Sequence, residues 1–157
     1  AFPGTTQDGA IERVRLLAAI TALPDGFERL EAIVHPLVRA EERAFLAAEF
    51  ARGASLAVLE IPLLFETGGD AMVDVTIVVS APAEVQRQRV LERPGMTAAK
   101  LAEILARQLP DAEKRARADY VVDTSGTIPE TEAQIDKLLA ALRGRVGSAY
   151  HRYWADA

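Results

Sequence analysis

Residues 104–123 read ILARQLPDAEKRARADYVVD. This stretch predicts a helical region with a cationic surface that runs into a short apolar strand, Tyr120–Asp123. Upstream, residues 60–66 read EIPLLFE and predict a strand that brings a carboxylate and an apolar loop to the same edge of a sheet. Together the two segments predict basic groups that close over an anionic ligand beside a parallel sheet.

Strand and helix patterns alternate through the rest of the chain, which favours an α/β fold with a mainly parallel sheet. Two further strands are expected, one at 56–59, a continuous apolar run, and one at 73–79, which is almost entirely β-branched. The helices expected after residue 80 are 82–93, 97–108, 110–117 and 129–142. The aromatic tail, with Tyr150, Tyr153 and Trp154, is expected to pack back onto the domain or to pair with a neighbour.

The first third of the chain predicts three helices. Asp8 is expected to cap the first, and a capping box at Asp25 to begin the second, which breaks before Pro36. The third covers about 37–52 and ends at Gly53. The side chains expected to face inward from the second and third helices are Leu30, Ile33, Val34, Val38, Phe45 and Ala48.

Composition limits the classes of protein that are possible. The chain has 157 residues, half of them hydrophobic, which suits one globular domain. It contains no cysteine, so it has no disulfide framework, and a reducing cytoplasm is the simplest location. No apolar run reaches the ~20 residues that a membrane helix needs, and no signal peptide is expected.

Charge is distributed unevenly along the chain. The net charge of −5 argues against general nucleic-acid binding. Residues 86–117 nevertheless carry eight Lys or Arg against four Asp or Glu. This local positive excess indicates a small anionic ligand such as a phosphate, although ordinary solvated helix faces would also explain it.

Three polar side chains share one face of the expected helix 82–93. Gln86, Arg89 and Arg93 are spaced at i, i+3 and i+7. Two guanidinium groups one turn apart can bind phosphate oxygens through several charge-assisted hydrogen bonds. Surface arginines that pair with neighbouring glutamates are the alternative.

Two carboxylates and a histidine are further candidates. Glu60 and Glu66 flank the apolar loop, and each could orient a substrate hydroxyl, bind a metal-bound water or form a structural ion pair. His35 could bind a ligand or serve as a structural hydrogen-bonding group. The sequence contains no catalytic triad, HExxH helix or metal-ligand cluster.

Four segments resemble the bacterial dephospho-CoA kinase family, in order and at the expected distances. They are 30–38 (LEAIVHPLV), 61–66 (IPLLFE), 86–93 (QRQRVLER) and 104–108 (ILARQ). Each motif is modest alone, but four in register are highly specific, and the likeness extends from about residue 9 to residue 142. The resemblance implies transfer of the γ-phosphoryl of ATP, with Mg²⁺, to the ribose 3′-hydroxyl of dephospho-CoA, the last step of coenzyme A biosynthesis.

The resemblance also implies an architecture. It is an α/β, P-loop kinase-like parallel sheet with helices on both faces, a helical acceptor-binding insertion and a helical lid. Residues 1–55 would form the CoA-binding domain, 56–81 and 118–157 the nucleotide-kinase core, and 82–117 the lid region.

Roles for individual residues follow from the matched motifs. Arg93 and Arg89 would be catalytic lid cations over the ATP phosphates. His35, Leu63 and Glu66 would line or support the dephospho-CoA pocket.

A second set would serve the lid or bind the nucleotide. Its members are Gln86, Gln108, Asp123, Thr124 and Gly126. Many family members carry Asn in the 123–126 loop where this chain does not, so contacts to adenine are expected from the backbone.

One family element has no counterpart in these residues. The family begins with a strand, a glycine-rich P-loop and a second strand that bears an Asp general base, whereas this sequence contains no G-x-x-x-x-G-K-[ST]. We therefore expect that an N-terminal part is missing from this chain, that the chain by itself is inactive, and that none of its residues binds the metal.

Other functions stay open at this point. Another small-molecule P-loop kinase is one alternative, although the helical insertion and the His35-Pro36 pair argue against it. A non-catalytic α/β binding module is another. The expected partners are ATP and dephospho-CoA, with no nucleic acid and no membrane, in a monomer or weak homo-oligomer.

Overall fold

The computed structural model describes residues 1–155, so the last two residues of the expected core segment 118–157 lie outside the described part. The chain divides into two compact units, Ala1–Ala54 and Ser55–Ala157. No helix among residues 1–155 is long and apolar enough to span a lipid bilayer.

A small antiparallel hairpin opens the first unit. Its strands are β1 (Thr6–Gln7) and β2 (Ala10–Ile11). The turn residues Asp8 and Gly9 have positive φ of 52° and 79°. An Asp-Gly pair with two positive φ angles is typical of a type I′ hairpin turn. The prediction that Asp8 caps the first helix is therefore wrong, because the turn uses it.

The first helix, α1 (Arg13–Thr21), is capped by a different carboxylate. Glu12 accepts hydrogen bonds from the backbone N–H groups of Val14 (3.3 Å) and Arg15 (2.9 Å). These bonds satisfy two of the donors that the first turn of a helix leaves without a partner.

One long helix, α2 (Gly26–Ala51), replaces the second and third predicted helices. Pro36 lies inside it, so the predicted break is wrong. A proline costs the helix one backbone hydrogen bond, but its φ is helical, and the turns on either side continue past it. The predicted capping box is also absent, because Asp25 has φ −104° and ψ 14° instead of an extended backbone and makes no side-chain capping bond.

The C-terminal end of α2 is as predicted. Gly53 has φ 72°, and its N–H donates to Phe50 O at 3.0 Å. Ala54 N donates to Glu49 O at 3.0 Å. This pair of bonds is a Schellman motif, which satisfies carbonyls of the last helical turn.

The burial predicted for α2 is largely wrong. Ile33, Val34, Val38 and Phe45 are 39–47% exposed, Ala48 is also exposed, and Gly26 is the one buried residue of this helix. The reason is geometric. A helix of 26 residues is about 39 Å long, and the nine residues of α1 can cover only part of it.

The second unit contains a two-stranded parallel sheet. Strand β3 (Ile77–Ser80) pairs with β4 (Tyr120–Asp123), with Ile77 opposite Tyr120 and Ser80 opposite Asp123. The α/β class and the bounds of β4 are confirmed. β3 is shorter than the predicted 73–79, because pairing extends only as far as its four-residue partner.

The strands predicted at 56–59 and within 60–66 are not formed, and residues 62–66 are in turns. These residues are neither helix nor strand, and Leu56 and Val58 are exposed. A continuous apolar run becomes a buried strand only when neighbouring strands pair with it, and no strand of the described residues does so.

Besides a 3₁₀ turn at Gly69–Met72 and a π-helical turn at Tyr150–Trp154, the second unit contains four α-helices close to their predicted positions. They are α3 (Ala83–Leu91), α4 (Ala98–Leu105), α5 (Asp111–Arg117) and α6 (Ile128–Leu142). Thr97 caps α4 as predicted, by accepting a hydrogen bond from Lys100 N. A capping box between Thr127 and Glu130 begins α6, and the T-x-x-E pattern that predicts it was missed.

The hydrophobic core of the second unit lies between β4 and α6. Val122, Leu138 and Leu142 form it. The aromatic tail packs back, as predicted, through Trp154, whose indole N–H donates to Met72 O at 2.8 Å.

Candidate functional site at the strand ends

The parallel strands end side by side, at Ser80 and Asp123. Ser80 is buried, and its hydroxyl donates to the carboxylate of Asp111, at the start of α5 (2.8 Å to Oδ1). The carbonyl of Ser80 accepts hydrogen bonds from Thr124 N (2.8 Å) and Thr124 Oγ1 (3.0 Å). These bonds join the β3 end, the loop after β4 and helix α5 at the sheet edge where parallel α/β folds bind ligands.

The predicted polar face of α3 contacts these strand ends. Gln86 donates from Nε2 to Ala81 O at 2.7 Å and, more weakly, to Asp111 Oδ1 at 3.5 Å. Arg89 donates from Nη2 to Thr124 O at 2.7 Å and from Nη1 to Thr124 Oγ1 at 3.2 Å. Gln86 therefore joins α3 to the segment that follows β3, and Arg89 joins α3 to the loop after β4.

Arg93 differs from Arg89 in its surroundings. It follows the end of α3, is exposed, and makes no side-chain hydrogen bond or ion pair with residues 1–155. The two predicted cations are thus not equivalent. The donors of Arg89 are engaged by the protein, whereas the guanidinium of Arg93 is available to an anionic ligand.

The 123–126 loop is shaped by its own side chains. Asp123 accepts a hydrogen bond from Ser125 N at 2.8 Å, and this bond holds the pKa of the carboxyl below its ordinary 3.8. Gln134 brackets the Asp123 backbone, accepting from its N–H at 2.9 Å and donating to its carbonyl at 2.8 Å. Gln134 was not singled out by the sequence, because nothing in its spacing distinguishes it from a surface residue of α6.

Gly126 lies where the Glu130 side chain reaches back to Thr127. A Cβ on Gly126 would overlap the Glu130 carboxylate. That carboxylate accepts from Thr127 N at 2.7 Å in the capping box, so a larger residue would disturb the start of α6. The structure gives Gly126 this local role.

Glu66 lies against the joint between α4 and α5. Its Oε1 accepts hydrogen bonds from Leu109 N (2.8 Å) and Lys114 Nζ (3.1 Å). Lys114 Nζ also donates to Gln108 Oε1 at 3.3 Å. Burial by itself raises the pKa of Glu66. The hydrogen bonds from Leu109 and Lys114 have a larger combined effect in the opposite direction, so the pKa falls below its ordinary 4.5. Lys114 was noted only as one of several basic residues.

Leu63 has an unusual backbone conformation just before Glu66. Its φ is 57°, in the left-handed region, and its side chain is 40% exposed. A non-glycine residue in this region costs about 1–3 kcal/mol and persists only where the surroundings fix it. Here Leu63 O accepts from both the N–H and the hydroxyl of Thr67, each at 3.0 Å. Such strain is often found at ligand-binding positions.

The aromatic residue of the same loop is fixed by α5. Phe65 is buried, and the guanidinium of Arg117 lies 4.7 Å from the centre of its ring. Arg117 also pairs with Asp70 at 3.0 Å. The loop that carries Leu63 is thus held to α5 at three residues, Phe65, Glu66 and Asp70.

The remaining candidates stand apart from these contacts. His35 is exposed on α2, in the first unit, and its side chain has no hydrogen bond or ion pair with residues 1–155. Glu60 is exposed as well. In the described part of the chain, no group of three or more His, Asp or Glu side chains is arranged to hold a metal ion.

Comparisons with known proteins give the same family as the sequence motifs. The family profile described as dephospho-CoA kinase matches residues 2–130. A dephospho-CoA kinase of Mesorhizobium japonicum is 55% identical over 148 residues, which are 94% of this chain and 75% of that protein.

Solved structures share the fold. A crystal structure of a Thermus thermophilus protein matches with a TM-score of 0.67 and 34% identity, over 91% of this chain and 73% of that one. A dephospho-CoA kinase from Campylobacter jejuni matches with a TM-score of 0.63 and 22% identity, over 90% and 71%. The P-loop kinase-like α/β fold is therefore confirmed, and on the family profile and the Mesorhizobium relative the chain belongs to the dephospho-CoA kinase family.

Proposed function

We propose that this chain provides the acceptor-binding region, the lid and the adenine loop of an ATP-dependent dephospho-CoA kinase. The reaction transfers the γ-phosphoryl of ATP to the ribose 3′-hydroxyl of dephospho-CoA, the last step of coenzyme A biosynthesis. The observation that carries the proposal is the family match over residues 2–130. The arrangement at the strand ends is consistent with this proposal, since Arg89 is bonded to Thr124 and Arg93 is available to a phosphate.

On the nucleotide side, the 123–126 loop would contact adenine through its backbone. Arg89 fixes this loop through Thr124, so it would act on ATP binding indirectly. Arg93 would donate to the phosphates, where charge spreads over the transferred group in the transition state. Gln86 and Gln108 would position the two ends of the lid, because each is hydrogen-bonded beside the α3 or α5 helix.

On the acceptor side, two regions would recognise dephospho-CoA. The first is the exposed Leu63 and its loop, and the second is the exposed face of α2 around His35. Both present side chains that the protein itself does not cover, which suits contact with a large, partly apolar acceptor.

ATP reaches kinases with a divalent metal ion, and we propose Mg²⁺. The ion would arrive bound to the phosphates, as part of the ATP substrate. A cytoplasmic location is proposed from the cysteine-free composition and the family.

The proposal is tested by measuring ATP-dependent formation of CoA. Two proteins are compared: the 157-residue chain, and the same chain joined behind a dephospho-CoA kinase P-loop segment, here called the P-loop fusion. We expect CoA only from the fusion, because phosphoryl transfer needs backbone amides and a lysine around the β- and γ-phosphates. A fusion that binds ATP but never phosphorylates dephospho-CoA would contradict the proposed function.

Replacing His35 by alanine is expected to affect the acceptor alone. In the P-loop fusion, the KM for dephospho-CoA should rise about tenfold, since one lost hydrogen bond costs about 1.4 kcal/mol, and the KM for ATP should stay within about twofold. Thermal stability should not change, because the side chain is exposed. Glu41→Ala, another exposed change on α2, is the control. A change in the KM for ATP instead would assign His35 to the nucleotide side.

A further inference from the structure

The loop that presents Leu63 needs an external support. Leu63 holds a left-handed backbone and an exposed side chain at the same time. The hydrogen bonds from Thr67 fix the carbonyl of Leu63 but come from the same short segment. Hydrogen bonds within one segment fix its shape but not its position relative to the sheet. That position depends on contacts with other elements.

Glu66 and Lys114 supply such a contact. Glu66 lies three residues after Leu63, and its Oε1 accepts from Leu109 N at 2.8 Å and from Lys114 Nζ at 3.1 Å. The two side chains are only 15% and 21% exposed, so water screens this ion pair less than a surface pair. The pair is therefore well placed to keep one geometry.

The partners of Glu66 lie where the lid region ends. Leu109 follows α4 and Lys114 lies in α5, on either side of the Pro110 joint. Lys114 also donates to Gln108 Oε1 at 3.3 Å, which extends the contact to the end of the α4 segment. A shift of this joint would therefore be passed on to Glu66 and to the loop that carries Leu63.

Within residues 1–155, the hydrogen bonds of the Glu66 carboxylate come from the lid joint and end on one oxygen, Oε1. An apolar side chain at this position would leave Leu109 N without its acceptor and Lys114 without its counter-charge. The carboxylate is therefore required for the contact between the loop and this joint.

We infer that Glu66 and Lys114 are positioning residues, which set the acceptor loop around Leu63 in register with the end of the lid without touching the substrate. The inference rests on the proposed function, because it assigns the Leu63 loop to the acceptor. It also narrows the expected role of Glu66, from lining or supporting the pocket to supporting it by holding the loop that lines it.

The experiment compares four variants in the P-loop fusion. Lys114→Met removes the cation and keeps the apolar stem, Glu66→Gln removes the charge but keeps an acceptor for Leu109 N, and Lys114→Arg restores a cation. Glu113→Gln is the matched control, since it makes the same change at an exposed carboxylate of α5 whose side chain has no hydrogen bond or ion pair with residues 1–155.

Lys114→Met and Glu66→Gln should each raise the KM for dephospho-CoA about tenfold and leave the KM for ATP within about twofold. Lys114→Arg keeps a cation, so its KM for dephospho-CoA should stay closer to the wild-type value, and Glu113→Gln should leave both constants near the wild-type values. Glu66→Gln keeps most of the packing, so it carries the test if Lys114→Met does not fold.

Three results would overturn the inference. The first is an active wild-type fusion in which Glu66→Gln and Lys114→Met both keep the wild-type KM for dephospho-CoA, and it would overturn the inference alone. The second is an equal rise in the KM for dephospho-CoA and the KM for ATP together with lost thermal stability, which would indicate a structural role. The third is a wild-type fusion without kinase activity, which would overturn the proposed function together with the inference.

Discussion

Replacing Arg93 by alanine in the P-loop fusion is expected to lower kcat by about 10²–10³ and to leave the KM for dephospho-CoA nearly unchanged. The expectation rests on the surroundings of this side chain. It is exposed at the end of α3 and has no partner among residues 1–155, whereas Arg89, one turn earlier, is bound to Thr124. A cation that stabilises the developing charge of the transferred phosphoryl group acts on the transition state more than on the ground state.

Two further variants distinguish the roles of the α3 cations. Arg87→Ala removes an exposed arginine of the same helix that is outside the predicted Gln86–Arg89–Arg93 face, and it should leave kcat within about twofold of wild type. Arg89→Ala should mainly raise the KM for ATP, because it releases the loop after β4. Wild-type turnover in Arg93→Ala would remove this residue from the catalytic machinery.

Replacing Trp154 by alanine is expected to lower the free energy of unfolding by about 3–5 kcal/mol. The indole is 3% exposed, and its N–H donates to Met72 O at 2.8 Å. The same tail segment is anchored at Asp74, whose carboxylate accepts from Ser148 N (2.6 Å) and Ala149 N (2.9 Å). The substitution therefore leaves a cavity and removes a hydrogen bond at a place where the tail fixes the segment before β3.

Denaturant unfolding of the 157-residue chain, followed by far-UV circular dichroism, measures this effect. Fluorescence is unsuitable, because Trp154 is the single tryptophan. Val146→Ala, at a position that is 94% exposed, is the control and should change stability by less than about 0.5 kcal/mol. A loss below about 1 kcal/mol for Trp154→Ala would mean that the tail contributes little to the stability of the second unit.

Local signals in the sequence predicted much of the second unit. The β-branched run at Tyr120–Asp123 and the Thr97 cap are where they were expected, because strand propensity and capping are properties of a few neighbouring residues. The prediction of a strand at 56–59 was wrong because strand formation there depends on distant residues. Its apolar run carries no information about whether another strand is available to pair with it.

The first unit was predicted less well, because competing local signals were ranked wrongly. Asp8 suits a helix cap and an Asp-Gly turn equally, and the turn is formed. Pro36 disfavours helix at the residue before it, yet the 26-residue α2 continues through both. Glu12 caps α1 in place of Asp8, and the helical turns on either side of Pro36 continue past it.

The candidate site was predicted in part. The spacing of Gln86 and Arg89 predicted a shared face, and both contact the strand ends. Lys114 and Gln134 were missed as site residues, because their partners Glu66 and Asp123 are 48 and 11 residues away and no motif connects them. The roles of all these residues in catalysis stay predictions.

The most direct test of the central claim is the identity of the phosphorylated acceptor. The P-loop fusion is incubated with ATP and one acceptor in each of three separate reactions. The acceptors are dephospho-CoA, AMP and CMP, and the products are analysed by mass spectrometry and phosphorus NMR. We predict that ATP is converted to ADP only in the presence of dephospho-CoA, which becomes CoA with the new phosphate on the ribose 3′-hydroxyl, and that AMP and CMP are not phosphorylated. Nucleoside diphosphate formed from AMP or CMP, with dephospho-CoA unchanged, would contradict the assignment and favour another small-molecule kinase.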